Sequence, residues 1–337
     1  MAGLANLSEF FSNPLFTAAM REVPVETKYI GSRFLPIENT YDIDFNESVL
    51  TRQADMADLV DSGAELPLTD RDPMARVKGE ITDMGQSYIV TKKELAAMMD
   101  KGNPAKRALA VKMLFGKAAQ VKKNIDARIE WLRWQALGTG QIVYNKSGII
   151  LGNDFGVPGG NFKTAGIKWD AATPTILANY EAWVQAYTDL NGEGPDVFIT
   201  GISALRAFMN DPDVRTAVSG LSGKMLTLDE LNAFLVGRQM PRIEAFDASV
   251  TYRDLSQANG PRVTQRLLGA KKGVFLKEGG AIGSQLLGPT YENEMEPGIF
   301  ARTFTMERPV REVVEVVAAS YPKIMVPSLI MPCDILT

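Results

Sequence analysis

The chain has 337 residues, of which 45% are hydrophobic and 23% are charged, and its formal net charge is −4. It contains no histidine and one cysteine, which excludes Ser-His-Asp and Cys-His nucleophile systems, an internal disulfide and a thiolate metal cluster within one chain. An enzyme would be left with carboxylate, lysine or Mg²⁺ chemistry, so the composition favours binding or structure. No apolar run reaches the roughly 18 residues of a membrane helix, and the first residues lack a secretion signal, which predicts a cytoplasmic location.

Residues 1–28 are predicted to form an N-terminal arm. Phe10, Phe11 and Phe16 are its candidate anchors, while Pro14 and Pro24 disfavour one continuous helix. Two interpretations stay open at this point. The arm is either a short helix packed on the protein's own core or a segment that anchors on a neighbouring subunit.

Residues 29–90 are predicted to be extended. The apolar residues from Tyr29 to Ile37 indicate one strand, and the alternation of Tyr41, Ile43 and Phe45 with aspartates indicates another. A return strand is predicted near residue 90. The stretch between them, residues 51–73, has little to bury, and a long loop of this kind is expected to rest on another surface.

A long helix is predicted from residue 103 to residue 137. Thr91 and Glu94 first form a capping box for a short helix, and then Asn103 and Pro104 provide the N-cap and first residue of the long one. Apolar residues follow at spacings of three and four, and Gly138 and Gly140 are predicted to end the helix. Its length of roughly 50 Å is too great for a compact domain of its own.

The remainder of the chain is predicted to mix helices and strands. A hairpin around Lys146-Ser147-Gly148 and a glycine-rich connection lead to residues 172–280, which alternate helices and strands as a compact α/β module. Within this module, the stretch GEGPDVFITG predicts a buried strand between two turns. Residues 281–337 are β-rich. Pro327 and Pro332 predict an edge strand or an irregular end there.

Charge is unevenly distributed along the chain. From Thr91 to Leu137 there are eleven Lys or Arg against four Asp or Glu, a net charge of +7, whereas from Thr40 to Gln86 there are four against eleven, a net charge of −7. The two segments are either separately solvated faces or surfaces that attract each other, within one chain or between subunits. Some helix lysines could also neutralise nucleic-acid phosphates without reading sequence. The lysines considered for that role are Lys106, Lys112, Lys117, Lys122 and Lys123.

Motifs of catalytic chemistry are weak. The stretch around Lys224 resembles a phosphate-binding loop, but Val218 and Met225 stand where a glycine and a hydroxyl residue belong. Glu292, Glu294 and Glu296 would share one face of a strand and could hold a hard cation, although such a run is more often a solvated loop. They define one alternative function, a carboxylate- or Mg²⁺-dependent enzyme. No cofactor is otherwise expected.

The order of these elements resembles the major capsid proteins of tailed bacteriophages, which have the Hong Kong-type capsid fold. The stretches GIKWD, DVFITGISALRAFM and ARTFTMERP carry the more specific similarity, which is greatest to the group typified by the phage lambda major head protein. The resemblance implies an α+β fold. This fold has an N-arm, an extended E-loop hairpin, and a long spine helix and β-sheet in a peripheral domain. It also has a mixed α/β axial domain.

The resemblance also implies a division of the chain. Residues 1–28 would be the N-arm, 29–90 the E-loop region lying on a neighbouring subunit, and 91–171 the peripheral domain with its spine helix at 103–137. Residues 172–280 would form the axial domain and 281–337 would return to the peripheral domain. The lysines named above would face packaged DNA. The acidic E-loop residues expected between subunits are Asp55, Asp58, Asp61 and Glu65.

The function implied by the resemblance is a non-catalytic shell protein. It would assemble as hexamers and pentamers into an icosahedral head that encloses double-stranded DNA, formed in the host cytoplasm. Little sequence precedes the first strand, so a separate scaffolding protein is expected, together with a portal and possibly a decoration protein. An encapsulin-type nanocompartment shares the fold and is the nearest alternative. A soluble DNA-binding protein is disfavoured by the sequence pI of about 5.2.

Overall fold

The computed structural model describes residues 13–48, 76–100, 102–146, 149–253, 260–307 and 310–337. The α-helices of these residues, in chain order, are α1 (Asn13–Arg21), α2 (Lys92–Met98), α3 (Pro104–Thr139), α4 (Ile176–Asn191), α5 (Ile202–Asn210), α6 (Pro212–Ser219) and α7 (Leu228–Gly237).

The strands of the described residues follow the same order along the chain. They are β1 (Ile37–Asn39), β2 (Asp44–Ser48), β3 (Arg76–Glu80), β4 (Asp83–Ile89), β5 (Gln141–Lys146), β6 (Ile149–Asp154), β7 (Lys163–Thr164), β8 (Val197–Thr200), β9 (Arg242–Ala245), β10 (Ser249–Arg253), β11 (Arg262–Arg266), β12 (Lys272–Leu276), β13 (Gly283–Gly288), β14 (Phe300–Glu307), β15 (Val310–Ile324) and β16 (Met331–Asp334).

The first sheet is organised by the long strand β15. Strands β13 and β14 pair with its two halves in succession, and β4 pairs antiparallel with it along residues 313–319. Residues 313–317 pair with both β14 and β4, so those two strands lie on opposite sides of β15. Strand β1 completes the sheet by pairing parallel with β13. Most β15 side chains are buried, which explains why its valine-rich sequence alternates poorly.

Helix α3 lies on this sheet and begins where the sequence predicts. Asn103 Oδ1 accepts a 3.0 Å hydrogen bond from the Lys106 N–H, and Pro104 occupies the first turn. The helix ends at Gly140, whose φ of 69° is left-handed. Gly138, predicted to end the helix, lies inside its last turn and is buried. At 36 residues the helix is about 54 Å long.

Two hydrophobic cores share helix α3. Residues from Leu114 to Ile129 pack with Phe16 of α1 and the valines of β15 in one core. Residues from Trp131 to Leu137 belong to a second core, which extends through the α/β part of the chain. The helix therefore passes from one core into the other without a break.

The second sheet has the strand order β7-β16-β12-β8-β9. Strand β8 is wholly buried, as predicted, and aromatic rings including Tyr180, Phe198 and Phe275 pack at centroid separations of 4.4–5.5 Å. Strand β16 belongs to this second sheet. The sequence instead predicted that this segment would be an edge strand or an irregular end, in a part of the chain that returns to the sheet of the peripheral domain. Strand β7 pairs with Cys333 and Asp334, and among the described residues no strand pairs with Pro332 on that side of β16.

The predicted strand from Tyr29 to Ile37 is wrong over most of its length. Residues Gly31–Arg33 form a 3₁₀ turn, and the N–H groups of Phe34 and Leu35 both donate to the Gly31 oxygen. This turn places both apolar side chains in the core, which consecutive residues of a strand could not achieve on one face. Tyr41 and Ile43 lie between β1 and β2 and are exposed, so the predicted second strand begins only at Asp44.

Candidate assembly surfaces

The first turns of α3 are exposed. Leu109 and Met113 have 59% and 53% of their surfaces accessible, although both are large apolar side chains. Apolar grooves flank this ridge on either side, one between α2 and α3 beside Lys93, the other beside Arg107 and Lys112. The exposed end of the helix thus combines apolar surface with positive charge.

The five candidate lysines have different environments. Lys106 Nζ lies 3.1 Å from the Asp100 carboxylate, and both groups are partly exposed. Lys112 is exposed and Lys123 half-buried, and within the described residues neither forms an ion pair. Lys122 does not fit the predicted DNA-facing role, because only 3% of its side chain is accessible and its Nζ lies 2.7 Å from Asp126 Oδ2.

Lys117 belongs to a polar corner where α2 meets α3. Its ammonium contacts the Glu94 carboxylate and the Tyr88 hydroxyl, and it lies over the Tyr88 ring. Glu94 also accepts the Thr91 N–H at 2.8 Å, which completes the predicted capping box. Burial alone would raise the pKa of Glu94, but Lys117, Thr91 and Tyr88 outweigh it and lower that pKa to about 2. Lys117 therefore has a structural partner.

A strip of buried charge runs along α3 beneath residues 23–33. Glu130 is 1% exposed, and its Oε1 accepts the Gly31 N–H at 2.7 Å and the Trp134 Nε1–H at 2.8 Å. Its Oε2 accepts from Arg133 at 3.2 Å. Burial lowers the pKa of the Arg133 guanidinium and raises the pKa of the Asp126 carboxyl. These groups were missed in the sequence, although Lys122, Asp126 and Glu130 recur every four residues beside the apolar stripe.

The 3₁₀ turn is also tied to the second sheet by a cluster of four charged side chains. Arg33 NH1 lies 2.7 Å from Glu244, Arg242 Nε lies 2.9 Å from the same carboxylate, and Glu278 bonds to both arginines. Residues far apart in sequence form this cluster, so no local pattern reveals it. It fixes the start of the extended region to the α/β part of the chain.

The extended region is described only near its base. Strands β2 and β3 form a hairpin of five residue pairs, and the Ile81 N–H donates to the Ile43 oxygen where the hairpin leaves the sheet. Strands β1 and β4 belong to the first sheet, so both ends of the region are anchored. The four acidic candidates lie outside the described residues. They are Asp55, Asp58, Asp61 and Glu65.

The N-terminal helix α1 packs on its own chain. Phe16 is 1% exposed and meets Phe115 of α3 edge-on at a centroid distance of 5.4 Å, and the Thr17 hydroxyl donates to the Ala301 oxygen at 2.8 Å. Phe16 therefore does not fit an anchor on a neighbouring subunit and agrees with the own-core interpretation. Phe10 and Phe11 lie outside the described residues.

The glutamates near residue 294 do not lie on a strand. Residues Tyr291–Asn293 form a 3₁₀ turn, and Glu294 and Met295 are left-handed with φ of 54° and 64°. Tyr41 donates a 3.2 Å hydrogen bond to Glu296. This arrangement is the solvated-loop interpretation, and the strand face proposed for a cation is not formed. In the described ranges, no group of three or more His, Cys, Asp or Glu is placed to hold a metal ion.

Among the helices of the described segments, none combines the length and the apolar character needed to cross a bilayer.

Comparisons with known proteins place this architecture. A protein described as a prophage capsid protein, from Escherichia coli CFT073, superposes with a TM-score of 0.62 at 15% identity over 99% of this chain and 100% of that one. A phage-related protein from Bordetella bronchiseptica RB50 gives 0.57 at 12% identity over 95% and 96%. The capsid of an empty GTA particle gives 0.50 at 11% identity over 93% and 92%. No curated protein sequence matches.

The sequence profile of phage major capsid protein E matches residues 16–327, which is nearly the whole chain. Because this profile describes phage capsid proteins, the encapsulin alternative is less supported. Membership of this capsid protein family implies a structural and non-enzymatic role. The chain therefore belongs to the phage major capsid protein E family, and it is a shell-forming capsid protein with the Hong Kong-type fold.

Proposed function

We propose that the chain assembles as hexamers and pentamers into an icosahedral phage head that encloses double-stranded DNA. The family match over residues 16–327 carries this proposal. The structure supports it through surfaces that one subunit leaves exposed, such as the apolar and basic end of α3. Assembly would take place in the host cytoplasm. Its further partners would be a separate scaffolding protein, a portal and possibly a decoration protein.

The part of the extended region beyond β2 and β3 would lie on a neighbouring subunit. Its acidic residues, from Asp55 to Glu65, would meet positive surface there, and both ends of the region are already fixed to their own sheet. Phe10 and Phe11 would extend the N-arm beyond α1 toward a neighbour. Ordering on assembly would compensate for the small apolar content of residues 50–72.

The DNA-facing role is kept for lysines whose charge is available. Lys123 is the strongest candidate, because it has no carboxylate partner within the described part of the chain. Lys112 is also unpaired there, but it lies beside the exposed apolar residues Leu109 and Met113, which suit a contact with protein better than one with DNA. Lys106 and Lys117 would contribute less, since Asp100 and Glu94 already neutralise them. Phosphate contacts of this kind bind without reading base sequence.

Assembly is tested by expressing the chain with and without residues 50–72. Sedimentation and electron microscopy of the intact protein should show shells, tubes or capsomer rings. The deletion should block shells while the far-ultraviolet circular dichroism of the folded subunit is retained. A wild-type chain that remains monomeric with any phage scaffolding protein supplied would contradict the function. Normal shells from the deletion would contradict the inter-subunit role of the loop.

The DNA-facing assignment is tested by Lys123→Gln. Filled heads of this variant should release DNA at lower temperature than wild-type heads, because the lost charge removes a phosphate contact. Lys271→Gln provides the matched control, since Lys271 is an exposed lysine of the α/β part. Equal DNA release from both variants would refute the assignment.

A further inference from the structure

One exposed surface is formed by α2 and the first turns of α3. Leu109 and Met113 form its apolar ridge between the two grooves. Its basic residues are exposed, and Asp100 and Glu94, the carboxylates beside them, are paired with Lys106 and Lys117. We call this surface the tip face. It consists of Lys93, Lys106, Arg107, Leu109, Lys112 and Met113.

A second exposed surface is formed where the segment after β1 meets the loop between β13 and β14. Tyr41 and Tyr291 have 69% and 81% of their surfaces accessible, and Ile43 has 50%. The Tyr41 hydroxyl bonds to Glu296 and thereby joins the two segments. We call this surface the tab face. It consists of Tyr41, Asp42, Ile43, Asp44, Tyr291, Glu292, Glu294 and Glu296.

The loop of the tab face has a defined conformation. Pro289 and Pro297 form a bridge at its base, and the Met295 N–H donates to the Thr290 oxygen at 3.0 Å. A surface that is already ordered loses little conformational entropy when it binds. Exposed tyrosines on such a surface suit the aromatic anchors that dominate protein interfaces.

The two faces are complementary in charge and similar in apolar content. The tip face has four basic residues, of which Lys106 is paired with Asp100, while Lys93 and Lys112 form no ion pair within the described residues; the tab face has five carboxylates. Each also presents large exposed apolar or aromatic side chains. Complementary charge selects partners and orientation, while the apolar and aromatic groups supply buried area.

One chain cannot bring its own two faces together. Lys117 contacts Tyr88, which pairs with Val314 of β15, whereas the tab begins beyond Leu287, which pairs with Ser320. The tab loop leaves the sheet at Gly288, opposite Ala319, and re-enters it at Phe300, opposite Val317. The eight helical residues back to Leu109 and the three to five strand residues from 314 to this point together separate the faces by roughly 25 Å. The sheet and α3 hold this separation, so the complementary surface must come from a second copy.

We propose that the tip face of one subunit docks onto the tab face of the next subunit. The contact is heterologous, because different surfaces of identical chains meet. Contacts of this type close into rings or continue as lattices. This inference rests on the proposed function and deepens it by naming the surfaces through which copies associate.

Cross-linking of co-assembled copies tests the contact without any substitution. Subunits labelled with ¹⁴N and ¹⁵N are mixed before assembly, and a carbodiimide then couples carboxylates to amines in direct contact. Mixed-isotope peptides joining Lys106 or Lys112 to the 291–296 loop or to Asp42 or Asp44 are expected. Shells in which the tip lysines couple only to carboxylates outside the tab face, such as Asp100 of their own chain or residues 55–65, or couple to no carboxylate, would overturn the proposal.

Charge reversal gives a second and independent test. Lys106→Glu with Lys112→Glu reverses the tip, and Glu292→Lys with Glu294→Lys reverses the tab. Each pair should lower the yield of shells about tenfold or more through like-charge repulsion, and all four changes together should restore assembly. Charge-conserving controls are Lys106→Arg with Lys112→Arg and Glu292→Asp with Glu294→Asp, which should assemble as the wild type does.

Thermal unfolding of each variant verifies that the subunit is folded, which is expected because all four positions are at least partly exposed. Shells from the wild-type chain establish the proposed function separately from this contact. The contact itself is refuted if either reversed pair assembles at the wild-type yield. It is also refuted if the fourfold variant is folded but assembles no better than the two pairs.

Discussion

The buried carboxylate of Glu130 gives the sharpest prediction about stability. Its Oε1 accepts the Gly31 and Trp134 N–H groups, and its Oε2 faces the guanidinium of Arg133, which is 4% exposed. Glu130→Gln retains an oxygen for the two neutral donors but removes the negative charge. Breaking a buried ion pair while one charge stays buried costs about 3–5 kcal/mol. We therefore expect Glu130→Gln to lower the free energy of unfolding by about that amount.

The double variant Glu130→Gln with Arg133→Met distinguishes this mechanism from simple loss of packing. The amide still accepts from Gly31 and Trp134, and the uncompensated cation is gone, so the double variant should be within about 1–2 kcal/mol of the wild type. Urea unfolding of the purified subunit, followed by circular dichroism, measures each free energy. The reasoning fails if Glu130→Gln alone changes stability by less than about 1 kcal/mol, or if the double variant is less stable than the single one.

Three further predictions concern the same helix and sheet. Because the folded-state pKa of Glu94 is about 2 against an ordinary 4.5, its stabilising contribution is complete above pH 4.5 and is lost toward pH 2. The stability difference between wild type and Glu94→Gln should therefore shrink over that range in urea titrations, and a constant difference would contradict it. Lys122→Met should lower the free energy of unfolding by about 3–5 kcal/mol, because its carboxylate partner Asp126 remains buried without a counter-charge. The control Lys112→Met should change it by no more than about 0.5 kcal/mol, because Lys112 is exposed. Equal effects of the two changes in thermal unfolding would contradict this prediction. Gly283→Ala places its Cβ 2.0 Å from a backbone oxygen of the paired strand, so it should lower the free energy of unfolding by about 3 kcal/mol or more. The control Gly159→Ala has open space around the new Cβ and should leave stability unchanged. Equal soluble yields and urea midpoints for the two variants would contradict this prediction.

Elements with strong local signals could be predicted from the sequence. The N-cap at Asn103, the capping box at Thr91 and Glu94, and the buried strand β8 are each determined by residues close together in the chain. The hairpin of β5 and β6 is another example, because its two strands are close together in the chain and pair antiparallel from Gln141 to Lys146. Helix periodicity and capping chemistry act locally, so these predictions are confirmed.

Features that depend on distant partners could not be predicted. The 3₁₀ turn at Gly31 forms because its N–H meets Glu130, which lies 99 residues away. Lys122 is indistinguishable in sequence from Lys123, and only the packing of residues near Val23 buries one and leaves the other half-buried. The placement of β16 beside β12 likewise depends on pairing between segments far apart in sequence.

The passage of α3 through both cores has a mechanical consequence. In a closed protein shell, identical subunits occupy positions of different local curvature, so each subunit has to adapt its shape to its position. Here the longest rigid element spans the two compact halves of the molecule, so these halves cannot swivel against each other unless the helix bends. The change in shape between such sites must then occur in segments outside the two cores, foremost in the hairpin of β2 and β3. The part of the molecule that contains both cores would tilt as one rigid unit.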